Sequence, residues 1–387
     1  MEMEGILIYS LLSALFLWLA TEFIVSRRRN LPPSPSALPI LGHLHLLREP
    51  LHRTLFSLSQ KHGPIFSLKL GSRFLVVVSS PSTVQQCFTK NDIVLANRPR
   101  LVIGKYVGYN YTTLGQASYG DHWRNLRKLS TVEIFSSTRL DMSLDIRRDE
   151  INRLLLRLHR VSADGFAKVE LKSMFSELTF NIIMRMMAGK RYFGDDVAQN
   201  SDEGRRFREM IKELFELTVM SYPGDFLPIL RLVDYNGYIR RIKDLVKETD
   251  ELMQEMIDEH RRNRGDSSIK NTMITHLLSL QESQPQYYTD LIIKGLIQPE
   301  RFEQGKDTSD LMYKLMPFGL GRRACPGMVL AQHVLWSTLG ALIQCFEWER
   351  VSDKAIDMTE GQGITMPKLA PLEAMCKASP LGKKLLA

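Results

Sequence analysis

Apolar residues run almost unbroken from Gly5 to Val25, with only Thr21 and Glu22 interrupting near the end, and Arg27-Arg28-Arg29 follow at once. Such a stretch is long enough to cross a bilayer as one helix. Arginines on its C-terminal flank, with Glu2 and Glu4 on the other side, predict that the rest of the chain stays cytosolic. A cleaved secretory signal would carry basic residues ahead of the apolar stretch instead. Further on, Ile65 to Leu70 and Phe74 to Ser79 flank Gly71-Ser72-Arg73 and read as a β-hairpin. Nearly everything else has helical spacing: Ser82 to Lys90, Asp121 to Leu129, Asp145 to Arg160, Leu171 to Ala188, Arg205 to Met220, Tyr235 to Arg264 and Met328 to Phe346. The expected fold class is mainly α with a small β-sheet, without repeats or low-complexity blocks.

Composition narrows this picture. Residues 1–26 read as a transmembrane anchor and residues 27–45 as a basic, proline-rich hinge, in which Pro32, Pro33, Pro35 and Pro39 stiffen the backbone into an extended spacer. Four scattered cysteines give no disulfide framework and no zinc pattern with the nine histidines, which agrees with a reducing compartment. Cys87 reads as packing; Cys345 and Cys376 have no assignable role. Asn110-Tyr111-Thr112 is a glycosylation sequon that a cytosolic domain would never present to the transferase. The formal charge is +8, from 51 basic and 43 acidic residues. Lys314, Arg322 and Arg323, among the basic residues around one loop, suit either an acidic partner protein or anionic lipid headgroups. Arg322 itself reads as a solvated charge. No aromatic-interleaved basic stretch points to nucleic acid.

One ten-residue loop carries the chemistry. Phe318-Gly319-Leu320-Gly321-Arg322-Arg323-Ala324-Cys325-Pro326-Gly327 places a single cysteine after two glycines and directly before an apolar helix. The glycines let the backbone pass close to a flat ligand and can turn amide N–H groups toward the sulfur. The positive end of the helix starting at Met328 also favours a thiolate. An arbitrary lone cysteine is an inert buried thiol. Here Phe318, Gly321, Arg323, Cys325 and Gly327 together fill every position of a pattern that resembles the haem-binding signature of the cytochrome P450 superfamily.

That resemblance implies a cytochrome P450 fold over residues 46–387, haem b held through Cys325 as the iron ligand, and a propionate paired with Arg323. Trp123 and Arg127, four apart on one helix face, match the family's Trp-x-x-x-Arg motif, whose indole N–H and guanidinium reach a haem propionate; taken alone the pair is also ordinary packing. The resemblance further implies an endoplasmic reticulum membrane protein with a single span, electrons from NADPH–cytochrome P450 reductase, membrane lipid contact and a small apolar substrate. Leu101 to Gly115 is similar to the loop that covers substrate, Ser221 to Leu230 to the apolar segment that dips into the membrane, with a buried, proline-broken loop as the equal alternative, and Gly363-Ile364-Thr365 to a turn entering the same cavity. Ser221 to Leu232 and Tyr288 to Gly295 look most like plant enzymes acting on isoflavonoids, including isoflavone 2'-hydroxylases.

Part of the pattern is missing. Tyr288 to Ile297 resembles only the opening of the family's central oxygen-activating helix, and Gln298 then leads straight into Pro299-Glu300-Arg301-Phe302. The resemblance implies that the rest of that helix and the following Glu-x-x-Arg helix are largely missing near 297–299, about a hundred residues in all. Gly305-Lys306-Asp307-Thr308-Ser309 imitates the oxygen-activating string in the wrong place. Glu150/Arg153, Glu203/Arg206, Glu259/Arg262 and Glu347/Arg350 repeat the Glu-x-x-Arg spacing out of place and read as surface helix pairs. The alternative to a working monooxygenase is a shortened, catalytically inactive, membrane-anchored isoform or an incomplete gene model that binds haem weakly or not at all.

Overall fold

The hairpin forms where the alternating pattern puts it. In the computed structural model, which describes residues 30–194, 202–265, 269, 271–297, 316–361 and 367–386 together with Ser13, strands β1 (Ile65–Leu70) and β2 (Arg73–Val78) pair antiparallel, with Leu68 opposite Leu75. The expected anchor, the Gln298-Pro299 junction with Pro299-Glu300-Arg301-Phe302, Lys314 and Gly363-Ile364-Thr365 lie outside the described residues. Two compact units divide the chain: residues 1–84 with 223–233, and residues 85–222 with 234–387.

In the first unit, helix α1 (Leu51–His62) lies against β1, and the small core holds Phe66, Leu68 and Leu70 with Leu55, Leu58 and Phe226 packed around them. The proline-rich segment is stitched to the hairpin. Ser67 N donates to Pro33 O at 2.8 Å and Ser67 Oγ to Pro32 O at 2.8 Å. Buried His43 joins both parts: its Nδ1 accepts from Lys69 N at 2.7 Å, which leaves Nε2 to donate to Pro35 O at 2.9 Å.

The second unit is helical around one core. Its main elements are α2 (Asp92–Leu95), α3 (Asp121–Leu129), α4 (Leu144–Val161), β3 (Ala167–Glu170), α5 (Leu171–Ala188), α6 (Asp202–Val219), α7 (Tyr238–Arg262), α8 (Met273–Ser283), α9 (Asp290–Ile297), α10 (Met328–Cys345), β4 (Phe346–Glu349), β5 (Glu373–Ala378) and α11 (Pro380–Leu386). Helix α5 starts where the Glu170 carboxylate accepts from Lys172 N and Ser173 N, and stops at Gly189 in the left-handed conformation. Leu158, Ile182, Met184, Ile242, Ile257, Ile274 and Leu277 are all at most 1% exposed and form the centre of the core. Strands β3, β5 and β4 make a second antiparallel sheet with β5 in the middle. The mainly helical class with small sheets therefore stands.

Glu150 departs from the surface-pair expectation. It is 3% exposed, and its carboxylate accepts from Arg185 at 2.6 Å and Arg191 at 2.7 Å, with Asn181 Nδ2 at 3.3 Å. Arg153 instead pairs with Asp149 at 3.0 Å. Position 150 sits on the core side of α4, where an unpaired carboxylate would be costly, so two guanidinium groups from α5 and the turn after it enclose it.

Candidate functional site

Two residues with positive φ, Gly319 (+66°) and Gly321 (+63°), fold the loop ahead of Cys325 back on itself. Ala324 N donates to Gly321 O at 3.0 Å and Cys325 N to Phe318 O at 3.3 Å, closing the turn. Around Gly319 the space is open: the nearest atom to a Cβ built there is Ala324 Cα at 3.9 Å. Gly321 is confined differently. A Cβ there would lie 2.5 Å from Asp92 Oδ1 and 3.1 Å from Phe88 Cδ1, so Asp92 at the start of helix α2 and the Phe88 ring before it leave no room for a side chain.

The sulfur faces a donor. Gly327 N points at Cys325 Sγ at 3.4 Å, and Gly327 immediately precedes the first residue of α10, so the unpaired N–H groups of that helix begin beside the cysteine. Both features lower the cost of an anion on sulfur. None of the four cysteines is in a disulfide.

Cationic groups gather around this turn. Arg127 donates to Ala324 O, the carbonyl next to Cys325. Burial lowers the Arg127 pKa, and the charge on Cys325 partly restores it. Arg323 donates to Ala96 O at 2.8 Å, Leu114 O at 3.1 Å and Ala117 O at 2.5 Å, and lies 4.5 Å from the Trp123 ring. Burial, with Arg98 and Arg127 nearby, pushes its pKa down to about 10. Trp123 is 4% exposed and spends its only N–H on Leu114 O at 3.0 Å, so its remaining contribution is the ring face under Arg323. The structure thus brings Trp123, Arg127, Arg323, Cys325 and Gly327 into one cluster. Phe318 contributes its carbonyl to the turn.

Haem b fits this donor set. No carboxylate among the described residues pairs with Arg127 or Arg323, and two propionates would supply the missing negative charge to guanidinium groups that now hold only carbonyl oxygens. The thiol already has an amide aimed at it, as a thiolate ligand requires.

Sequence reasoning missed the groups that hold the loop from outside. Asp92 accepts from Arg322 N at 3.2 Å and pairs with Arg322 Nε at 3.0 Å, and Arg322 Nη1 donates to Tyr119 Oη at 3.1 Å. Arg322 is exposed, as expected of a solvated charge, but it also tethers the loop, because Asp92 arrives from 230 residues away, a separation that no local pattern reveals. The loop from Leu101 to Gly115 takes three successive left-handed residues, Tyr109, Asn110 and Tyr111. Tyr109 Oη donates to Asp250 Oδ1 at 2.9 Å, and Lys294 of α9 reaches the same oxygen at 2.9 Å. A Cβ on Gly295 would lie 3.6 Å from Thr113, so this loop does meet α9.

Comparison with known proteins agrees with the geometry. The cytochrome P450 family model matches residues 32–298 and again 297–372, two pieces that meet at the Gln298 junction. The chain is 43% identical to cytochrome P450 81Q32 of Catharanthus roseus, over 96% of each chain. It is 42% identical to an isoflavone 3'-hydroxylase of Medicago truncatula (96% of this chain, 98% of that protein) and 38% identical to an isoflavone 2'-hydroxylase of Glycyrrhiza echinata (100% and 99%). The first of these alignments runs over 487 positions against a chain of 387 residues, so about a hundred positions of the relative have no counterpart here. With a cysteine turn of this geometry and relatives matched from end to end, the chain belongs to the cytochrome P450 family of haem b monooxygenases.

Proposed function

We propose that this chain holds haem b through the Cys325 thiolate and hydroxylates a small apolar or phenolic plant metabolite of the isoflavonoid kind, with electrons from NADPH delivered by a membrane-bound reductase. The observation that carries the reading is the Gly327 amide aimed at Cys325 Sγ at 3.4 Å, at the head of an eighteen-residue helix. When bound, the haem supplies dioxygen activation and the transfer of one oxygen atom. The protein's own share is electrostatic. Gly327 N–H and the start of α10 stabilise sulfur as an anion, and Arg323 and Arg127 offer charge-assisted donors to two carboxylates. Tyr109, Asp250 and Lys294 fix the loop from Leu101 to Gly115 against α9, which supports that loop as a wall of the substrate space. Names of relatives that act on isoflavones support the substrate class. An N-terminal anchor in the endoplasmic reticulum, with the domain on the cytosolic side, completes the reading.

The second reading is a membrane-anchored form without turnover. It is favoured by the two-piece family match at residues 297 and 298, which supports the loss of the central oxygen-activating helix beyond Ile297 and of the Glu-x-x-Arg helix. The full chain, expressed in microsomes, is expected to give a thiolate-type Soret band in its ferrous carbon-monoxide spectrum, and Cys325→Ala is expected to remove it. A spectrum without that band in the parent chain would overturn haem-thiolate binding. NADPH oxidation coupled to isoflavone hydroxylation by a co-expressed reductase then separates the two readings.

A further inference from the structure

A cavity of about 260 Å³, sharing no lining residue with the cysteine cluster, is bounded by α4, α5, α8 and the short helix Ser137–Met142. Ile134, Met142, Ile146, Met186 and Met273 form its apolar wall. Arg139 also lines it and is poorly matched. Its Nη2 lies 2.6 Å from His276 Nδ1 and 2.7 Å from Nε2, its Nη1 has the Met142 thioether at 3.8 Å, and no oxygen among the described residues accepts from it. His276 Nε2 is also 2.7 Å from Glu133 Oε2, so the hydrogen sits on Nε2 and Nδ1 is the one acceptor the ring offers. A guanidinium with five donors is thus left with one imidazole nitrogen and a weakly accepting sulfur. A second guanidinium adjoins the wall. Arg147, 4% exposed, donates Nη1 to Leu140 O and to Oγ of the lining residue Ser143, both at 2.7 Å, and pairs with no carboxylate among the described residues. Burial lowers its pKa, while Asp141 and Arg148 act on it in opposite directions.

We propose that this cavity binds a small aryl carboxylate, whose oxygens take the fork of Arg139 and whose ring lies among Met142, Ile146, Met186 and Met273. Charge sets the class of ligand. Arg139 and Arg147 bring two positive charges and Glu133 one negative, while Arg185, also on the wall, is taken up by Asp149 and Glu150. The excess of one positive charge suits a monoanion and not a phosphate dianion. Geometry selects the carboxylate, because two parallel N–H groups of one guanidinium match its two oxygens. The wall selects the body: three thioethers and two isoleucines favour a flat apolar ring, with sulfur against its edge. Volume limits its size, since the cavity falls just under the ~300–1,000 Å³ of ordinary small-molecule pockets. On binding, the carboxylate replaces His276 Nδ1 as the acceptor for Arg139, and His276 keeps its hydrogen bond to Glu133.

The site stands on its own residues and not on haem binding, and its test is a direct titration. The full chain in lipid nanodiscs is titrated with trans-cinnamate by isothermal calorimetry. One saturable site is expected, weakened about tenfold to a hundredfold in Arg139→Gln. Arg139→Lys, which keeps the charge and loses the fork, should weaken it about tenfold. Ile146→Phe fills the cavity without changing any charge and should block binding. Cinnamamide, neutral and of the same shape, should not bind. Cys325→Ala should bind cinnamate as the parent does. Unchanged far-UV circular dichroism shows that each variant folds, and Ile146→Phe tests the cavity even if the arginine variants do not. Absence of saturable binding in the parent overturns the proposal, as does equal binding of cinnamamide. Binding that a folded Arg139→Gln or Ile146→Phe leaves unchanged overturns it as well. So does binding lost in Cys325→Ala, which would place the acid at the haem. Each of these outcomes leaves the Cys325 reading to its own spectrum.

Discussion

The helices before the junction and the helix after it obey different burial rules. On α4, α5, α7 and α8 the large apolar residues point at each other: Leu158, Met184, Ile242, Ile257, Ile274 and Leu277 are fully buried. Charged groups among them are matched, with Glu150 enclosed by Arg185 and Arg191. Helix α10 is more apolar than any of these and yet shows Trp336, Leu339 and Ile343 to solvent. Residue types record the neighbours a helix was selected to have. Where the neighbours are all present, composition and burial agree; where about a hundred positions are missing, they part.

The contrast is open to direct attack, beginning where the effect is greatest. Glu150→Ala leaves two guanidinium groups facing a nearly dry site and should cost about 3–5 kcal/mol, read as a shift in the urea midpoint at unchanged slope. Ile257→Ala empties a fully buried position in α7 and should cost about 2–5 kcal/mol by the same measurement. A small effect at either site would mean that the helices before the junction are as loosely covered as α10.

Asp290 tests how firmly the chain is held just ahead of the junction. Its carboxylate accepts from Arg261, Gln281 and Gln254, and the Arg261 hydrogen bond first, then the two amides, hold its pKa far below the usual carboxylate range. A carboxylate depressed in the folded state contributes its full stabilisation above the unfolded pKa, about 3.9, and loses it as pH falls below that value. Asp290→Asn should therefore cost about 1–3 kcal/mol at pH 7. The gap between parent and variant should close progressively on acidification below about pH 4.

Legibility in the sequence followed the distance over which each feature is encoded. The hairpin is announced by Gly71-Ser72-Arg73, and helices Asp121–Leu129 and Leu171–Ala188 end where their apolar spacing ends. Met273–Ser283 went unread although Met273, Ile274, Leu277 and Leu278 have helical spacing and Thr272 caps the first turn through its side chain; its shortness and the polar stretch before it hide the period. The β3–β5–β4 sheet was invisible for another reason: β3 and β4 have only four residues each and almost no alternation to show, and Ala167 pairs with Cys376 far along the chain. At the site, Cys325 and Arg323 were legible because the motif is contiguous. Asp92, which holds Arg322, was not, since its only sequence mark is an acidic residue at the start of a short helix.

The smallest effect bears hardest on the comparison. Leu339 is 51% exposed on a helix with no charged residue, so Leu339→Ala removes little that is buried. Alanine also has the higher intrinsic helix propensity by a few tenths of a kcal/mol. The expected change in stability is within about 0.5 kcal/mol of zero, against the several lost at Ile257. Leu178→Ala, on α5 at 5% exposure, calibrates the scale at about 2–5 kcal/mol for the same truncation at a covered position. If Leu339→Ala matched Leu178→Ala in the parent chain alone, the face would already have a cover.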